Sequence, residues 1–506
     1  MSERVHELLQ LAAATRPGAL ALIDHDDREY SWAEIANAAS DAAGQLRRIG
    51  LRPGDRVVLA FENCIEVIAF FYAASMLDAI AVTINARLTT AELDRIIAHS
   101  DAAAVMFSTS VSDVARAHAD HYGAPEVIGA FGTAALMPSP GSMPEPVSDD
   151  GREQVALLLY TSGTTGAPKA AMLTHANLLA GAKGSAEMRG IQLGDVSYLA
   201  LPLSHIFGLV AMLSVTYAQS AMRMEARFSV ERLYNALKQD VTLLPAVPQM
   251  HAHLFAYANA HDMPRYDGGR LRFVSSGGAP LDPAWKREAE AFYGLPLQNG
   301  YGLTECAAGV CATRSALGDP DISVGLPMGD CILKLDMEAP GATPDQGIGE
   351  ILIGGPQVMK GYFRDPEQSA AVLTGDGFFR SGDLGRFDEA GRLHIAGRSK
   401  ELIIRSGFNV YPVEIEATLT EHPDVVMAGV VGRQVQGNEE VLAFVTLRDG
   451  SFASEADLHV FAGDRLAPYK RPSRIIIAEA LPAAPTGKIL KAKLIETFEE
   501  ELAKPV

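Results

Sequence analysis

Cysteine is scarce. Cys64, Cys306, Cys311 and Cys331 are the four in a chain of 506 residues, and no paired metal-ligand spacing links them. So few in so long a chain do not suggest a disulfide scaffold, and a reducing cytoplasm is the expected home. Positive charge is also in short supply. Lysine and arginine number 43 against 62 acidic residues, a formal net charge of -19, which argues against nonspecific binding to nucleic acid or to anionic lipid. A polyanionic substrate would then need local lysines, arginines or a metal ion. The opening residues, Met1-Ser-Glu-Arg-Val-His, place charges where an export signal needs a basic start and an apolar core, so they read as the start of a helix. One run needs a membrane test. Residues 196–222 carry no formal charge, His205 set aside, and are long enough to span a bilayer. Pro202, Ser204, His205, Gly208 and Gln219 would place a helix breaker and polar groups in hydrocarbon, so a buried strand followed by a buried helix is the expectation, with no integral membrane segment.

What is present is the balance of a soluble globular enzyme, 48% hydrophobic and 21% charged. At roughly 150 residues per domain, about three structural units are expected. Up to about residue 134, helical stretches alternate with short apolar strands, the rhythm of an α/β layer fold. Residues 134–150, with four prolines, read as a surface connection, after which the α/β rhythm resumes. Across 341–391 glycine-punctuated short strands point to a β-rich subdomain. A boundary is placed after Gly397, giving a large domain over 1–397 and a small α+β domain over 398–506. Within the small domain 414–419 reads as a helix, 425–431 and 441–447 as strands, and 454–466 as a capped helix.

The richest stretch is Leu157-Leu-Leu-Tyr-Thr-Ser-Gly-Thr-Thr-Gly-Ala-Pro-Lys169, where four hydroxyls, from Thr161, Ser162, Thr164 and Thr165, surround Gly163 and Gly166 and one lysine closes the run. Glycines let successive N–H groups turn toward an anion, hydroxyls add donors, and Lys169 supplies a point charge, which suits a polyphosphate. A P-loop needs Ser or Thr straight after its lysine, opening a helix. Here Ala170-Ala-Met-Leu-Thr174 follows and reads as a strand, so the loop joins two strands. Taken alone, a plain Gly/Ser/Thr-rich hairpin connection competes equally with phosphate binding.

Seven further segments accompany it in order: Leu201-Pro-Leu-Ser-His-Ile-Phe-Gly208, Ser276-Gly-Gly-Ala-Pro280, Asn299-Gly-Tyr-Gly-Leu-Thr-Glu305, Arg380-Ser-Gly-Asp-Leu384, Gly397-Arg-Ser-Lys-Glu-Leu402, Gly407-Phe-Asn-Val-Tyr-Pro412 and Pro485-Thr-Gly-Lys488. Together they resemble the adenylate-forming superfamily of acyl-CoA synthetases, nonribosomal peptide adenylation domains and firefly luciferase. The resemblance implies a large AMP-binding domain, a small mobile domain, and a reaction in two halves. A carboxylate and Mg-ATP give an acyl-adenylate and pyrophosphate, and a thiol, usually of coenzyme A, then displaces AMP.

The residues suit that chemistry. Attack on an α-phosphate spreads negative charge over phosphoryl oxygens, so preorganised donors and cations are needed. The 161–169 loop can hold the β- and γ-phosphates. By resemblance, Thr304 contacts the α-phosphate and Glu305 helps hold Mg²⁺, a hard ion suited to carboxylate oxygen. Tyr301 offers an aromatic face and Gly278-Ala279-Pro280 a close backbone, between which adenine can stack, with Asn299 at its edge. Asp383 suits a ribose diol and Arg398 a second ribose or phosphate contact. By resemblance Lys488 bridges the substrate carboxylate and the α-phosphate, Lys400 is the hinge, and Gly407 lines the pantetheine tunnel. Tyr469 and Arg471 are candidates for the coenzyme A nucleotide. The Pro482–Lys488 context also resembles the one in which bacterial acetyltransferases modify such a lysine.

His205 lies beside the acyl pocket in this family, where amino-acid-activating relatives usually carry aspartate, so an α-amino acid substrate is disfavoured. The other pocket positions implied, among them Phe207, Ala246, Val247, Ser275, Gly300, Leu303 and Gly309, are apolar or small, and none is basic. Burying a second carboxylate without a partner is costly. A monocarboxylic acid is therefore expected, a medium or long fatty acid first and an aryl or arylpropenoic acid second. A carrier-protein loading enzyme, a luciferase-like oxygenase and a non-enzymatic nucleotide binder are the competing readings. A covalent role for Cys306 has no accompanying histidine motif. A monomer or a homodimer is expected.

Overall fold

Two helices without a polar face dictate the centre of the molecule. Ile65–Met76 and Ile206–Tyr217 bury nearly every residue they contain, and a helix apolar all round must be enclosed on all sides. Both lie in a helical layer between two large sheets, joined there by His6–Thr15 and His175–Arg189. The computed structural model describes residues 3–139, 141–161, 169–263, 265–278, 281–405, 408–435, 438–448, 450–483 and 489–504.

One sheet has eight strands, with Ile80–Asn85, Arg56–Phe61 and Ala104–Phe107 parallel at its centre. Val155–Thr161 adds in parallel to Ile80–Asn85, and Lys169–Thr174 folds back on it antiparallel, Thr161 opposite Lys169. The loop of hydroxyls and glycines thus joins two strands, as expected, and its residues 162–168 lie outside those described. The other sheet has nine strands. Its parallel run Ala221–Met224, Val196–Leu199, Leu243–Ala246, Phe273–Gly277 and Leu297–Tyr301 leads to the site. The charge-free run 196–222 is resolved as expected into a buried strand and a buried helix. Among the described residues no helix is long and apolar enough to cross a membrane.

One expectation is corrected. Gly132–Pro138 is a strand that pairs with Ala104–Phe107 and Glu126–Gly129, not surface connection. Proline interrupts a ladder only where an N–H is needed. Here the prolines crowd at and after the strand's last residue, while Ala134, Ala135 and Leu136 are buried.

The β-rich stretch forms a four-stranded antiparallel sheet, Ile332–Asp336, Gly349–Gly354, Phe379–Phe387 and Leu393–Arg398. Beyond it the chain builds a small domain with its own core. Val425–Val435 and Asn438–Leu447 pair antiparallel, Arg474–Ile477 adds in parallel, and helices Pro412–Thr420, Glu455–Gly463 and Lys491–Thr497 pack around them. Ser454 caps its helix through a capping box with Asp457. Tyr411 is the small domain's anchor on the large one. It packs with Ile348 and Leu384, donates to the Gly341 carbonyl at 3.1 Å and accepts from Thr343 Oγ1 at 2.6 Å.

Candidate active site

Parallel strands end together, and ligands of such sheets bind outside the carboxyl ends. In register, Ala246 lies opposite Ser276, Ser276 opposite Asn299, and Gly277 opposite Gly300. Ala246, Ser275 and Gly300 are thereby gathered at one sheet edge, with Val247 next in chain. Gly278 turns the chain out of its strand with φ +86°, a conformation that favours glycine, and Val247 Cγ1 lies 3.9 Å from where its Cβ would be. Gly302 sits so close to the Ala308 carbonyl that a Cβ would come within 1.3 Å of it. That contact folds residues 301–309 tightly behind the strand end. Leu303 packs against the core, and Gly309 approaches Met328.

Tyr301, Asp383 and Arg398 meet from three separate strands. Asp383 and Arg398 are register partners, Arg398 Nε donates to Asp383 Oδ1 at 2.9 Å, and the Tyr301 hydroxyl donates to Asp383 Oδ2 at 2.5 Å. The carboxylate is buried. Burial first and the Asp383 charge second push the Tyr301 phenol well above its ordinary value, so it stays a donor. Asp383 in turn raises the Arg398 guanidinium, which remains a half-exposed cation at the mouth.

Glu305 belongs to the single turn Thr304–Cys306 that carries Thr304 beside it. The Tyr362 hydroxyl donates to Glu305 Oε1 at 2.8 Å, and the Glu305 carbonyl accepts from Met359 N at 2.8 Å. Tyr362 comes from a short strand paired to the lysine strand, and Lys169 Nζ lies 5.8 Å from its ring centroid and donates to Gln368 Oε1 at 2.8 Å. Tyr362 therefore links the expected metal carboxylate to the expected phosphate lysine. Its sequence surroundings carry no signal of this role.

Asn299 is placed otherwise than expected. Its side chain is buried, Nδ2 donates to the Ser323 carbonyl at 3.0 Å and Oδ1 accepts from Gly300 N at 3.0 Å, so the amide braces the strand rather than presenting a base edge. His205 is exposed and caps the helix Ile206–Tyr217, accepting from Phe207 N at 3.4 Å. The segment before it is clamped by Asn63, which donates to the Leu201 carbonyl at 3.0 Å and accepts from Leu203 N at 2.8 Å. Asn63 is 138 residues from Leu201, beyond the reach of any local pattern. Phe207 fits against Gly277, its ring edge 3.4 Å from where a Cβ would be. Arg189 also lies near this ring, its guanidinium carbon 5.7 Å from the centroid. Helix packing thus brings a buried arginine against Phe207, although none of the expected pocket positions is itself basic.

The structure also places Lys400, exposed, in the turn Ser399–Glu401. Tyr469 stacks on Phe408 at 4.5 Å, and Arg471 Nε donates to the Leu466 carbonyl at 2.9 Å, both within the small domain. Ser162, Gly163, Thr164, Thr165, Gly166, Ala279, Pro280, Gly407 and Lys488 lie outside the described residues. Lys491, just past that last lysine, bridges Glu401 at 2.9 Å and Glu416 at 2.7 Å.

Two charged clusters thus stand at the two ends of the segment Tyr301–Glu305, Tyr301 with Asp383 and Arg398, and Glu305 with Tyr362 and Lys169. Residues 9–363 match the family model of AMP-binding enzymes, and residues 414–488 match that of the AMP-binding enzyme C-terminal domain. The chain belongs to the AMP-binding enzymes. It is similar to the 2-succinylbenzoate–CoA ligase of Geobacillus kaustophilus, 35% identical over 96% of each chain. It is similar also to the long-chain-fatty-acid–CoA ligase FadD13 of Mycobacterium tuberculosis, 30% identical over 98% of this chain and 99% of that one. Among solved structures, ATP-bound MatB from Rhodopseudomonas palustris superposes with a TM-score of 0.84 at 30% identity, over 99% of this chain and 100% of that one. This AMP-binding enzyme is an acid–thiol ligase of the adenylate-forming superfamily.

Proposed function

We propose that the enzyme joins an organic acid with an apolar or aromatic body to coenzyme A, with ATP and Mg²⁺, through an acyl-adenylate. The observation that carries the reading is that the short segment Tyr301–Glu305 carries two charged clusters, Tyr301 with Asp383 and Arg398 at one end and Glu305 with Tyr362 and Lys169 at the other. Asp383 accepts from the ribose hydroxyls, Tyr301 supports the base, and Arg398 and Lys169 answer phosphate charge. Glu305 fits a magnesium site of the usual kind, in which one or two carboxylates and substrate phosphates share the ion. Its Oε1 already has a donor in Tyr362, which orients the carboxylate. Bound there, the ion neutralises charge on the phosphates. A carboxylate oxygen of the acid attacks the α-phosphorus, the bond to pyrophosphate breaks, and Lys488 answers the charge on both reacting oxygens. In the second half a thiolate attacks the acyl carbon and AMP leaves.

Lys400 is the hinge between the two halves, in the turn that follows the last strand of the large domain. Phe207, Ala246, Val247, Ser275, Gly300, Leu303 and Gly309 bound the acid's body, with His205 at its entrance. The test is release of pyrophosphate and AMP with straight-chain, aryl and dicarboxylic acids, each with and without coenzyme A. A signal that needs coenzyme A for thioester formation and peaks on one acid class is expected. Absence of pyrophosphate from every acid would overturn the reading.

A further inference from the structure

Lys169 opens its strand opposite Thr161, at the foot of the loop of hydroxyls and glycines. Two neutral groups hold it. Nζ donates to Gln368 Oε1 at 2.8 Å and lies 5.8 Å from the centroid of the Tyr362 ring, within reach of a cation–π contact, and no carboxylate pairs with it among the described residues. Other lysines of the chain are treated differently. Lys334 meets Asp376, Lys360 meets Glu153, Lys470 meets Glu414, and Lys491 meets both Glu401 and Glu416. Acids are at hand near Lys169 too, because Gln368 follows Asp365-Pro366-Glu367 in the chain. They are turned elsewhere. The Asp365 carboxylate caps the helix Pro366–Val372 by accepting from Gln368 N at 3.0 Å, and Glu367 is exposed. The turn presents an amide to the ammonium group instead.

Gln368 is itself fixed. Ser369 Oγ accepts from Tyr362 N at 2.8 Å and donates to the Asp365 carbonyl at 2.7 Å, and Tyr362 pairs with Ala171 on the strand that Lys169 opens. Strand, tyrosine and helix start therefore form one hydrogen-bonded unit around the ammonium group. We infer that Gln368 is a positioning residue for the nucleotide's polyphosphate: its amide oxygen fixes Lys169 beside the loop and leaves the lysine's charge uncancelled, so that the β- and γ-phosphates supply the counter-charge. An amide orients an ammonium group through its dipole, whereas a carboxylate at the same place would neutralise it and repel the phosphates. A lysine has three donors and Gln368 takes one of them, so a phosphate oxygen can accept from another. The inference rests on the ligase reading above and adds to it a residue outside every motif of the sequence.

The experiment measures the binding of ATP, tripolyphosphate and AMP by isothermal titration, with Mg²⁺ present, to the wild type, Gln368→Glu and Gln368→Met, with a thermal melt of each protein. Gln368→Glu keeps the shape and adds a carboxylate, and is expected to weaken ATP and tripolyphosphate by about 10-fold or more, the scale of one partly screened charge contact. Gln368→Met removes the acceptor without adding charge, and is expected to weaken both by about 3- to 10-fold, the scale of one hydrogen bond. AMP, which lacks the β- and γ-phosphates, should stay within about twofold of its wild-type affinity in both variants. A Gln368→Glu or Gln368→Met enzyme that binds ATP as tightly as the wild type overturns the inference. Equal weakening of AMP and ATP overturns it too, since that is the mark of a general disturbance of the site. A wild type that binds ATP and tripolyphosphate yet releases no pyrophosphate with any acid is a different failure, that of the ligase reading itself.

Discussion

Asp383→Asn keeps the shape of a buried side chain and removes only its charge. Asp383 is 3% exposed and receives the Tyr301 hydroxyl at 2.5 Å and Arg398 Nε at 2.9 Å. If it also accepts from the ribose diol, each of those two bonds changes from charge-assisted, about 1.5–3 kcal/mol, to neutral, about 1 kcal/mol. The sum is a loss of about 1–4 kcal/mol, or about 5- to 1000-fold in KM for ATP. The fold should survive, because Arg398 is 44% exposed and water can replace its partner, a cost of about 1 kcal/mol or less. The assay is pyrophosphate release against ATP concentration at saturating acid, with a thermal melt of the same sample. A folded Asn variant whose KM for ATP stays within about threefold of wild type would refute the ribose assignment.

Acid should weaken the fold through two histidines. Burial pushes His175 down to about 3 and His251 to about 4, while the unfolded chain takes up these protons near 6.5. The unfolded state therefore binds more protons below pH 6.5, and stability is lost as pH falls from there toward 4, by about 2 kcal/mol per histidine at pH 5. Urea midpoints at pH 7 and pH 5 measure this, and an unchanged midpoint would show that neither histidine is held neutral. Cys306→Ala should keep turnover, since Cys306 is fully buried and burial raises its thiol well above the ordinary range. Loss of all turnover with ATP binding intact would establish the covalent role instead. Lys491→Met should destabilise the small domain by about 2 kcal/mol by leaving Glu416 without its cation, and Lys491→Met with Glu416→Gln should recover part of that. Equal melting temperatures for wild type and the single variant would show that the bridge contributes nothing.

The chemistry-bearing residues that sequence alone could name are those inside contiguous segments. Lys169 opens a strand after a loop of donors, Thr304 and Glu305 follow a tight glycine turn, and Ser454 announces its helix three residues before Asp457. The strand Gly132–Pro138 was hidden by proline density, although its prolines fall where they cost no ladder bond.

What local pattern cannot carry is a partner far away in the chain. Tyr362 acquires its place from a pairing with the lysine strand and its hydrogen bond to Glu305, 57 residues away. Asn63 becomes a clamp only when the layers close on the 201–203 segment. Arg189, in sequence the polar end of an ordinary helix, becomes a buried charge because two helices between the sheets press it against Phe207. The sequence by itself determined the α/β class and the family, and it named the donors and acids proposed for the nucleotide site, because period, turn chemistry and contiguous motifs are local. Only the tertiary structure decided which charges lack a partner, because burial and counter-charge come from elements that meet across hundreds of residues.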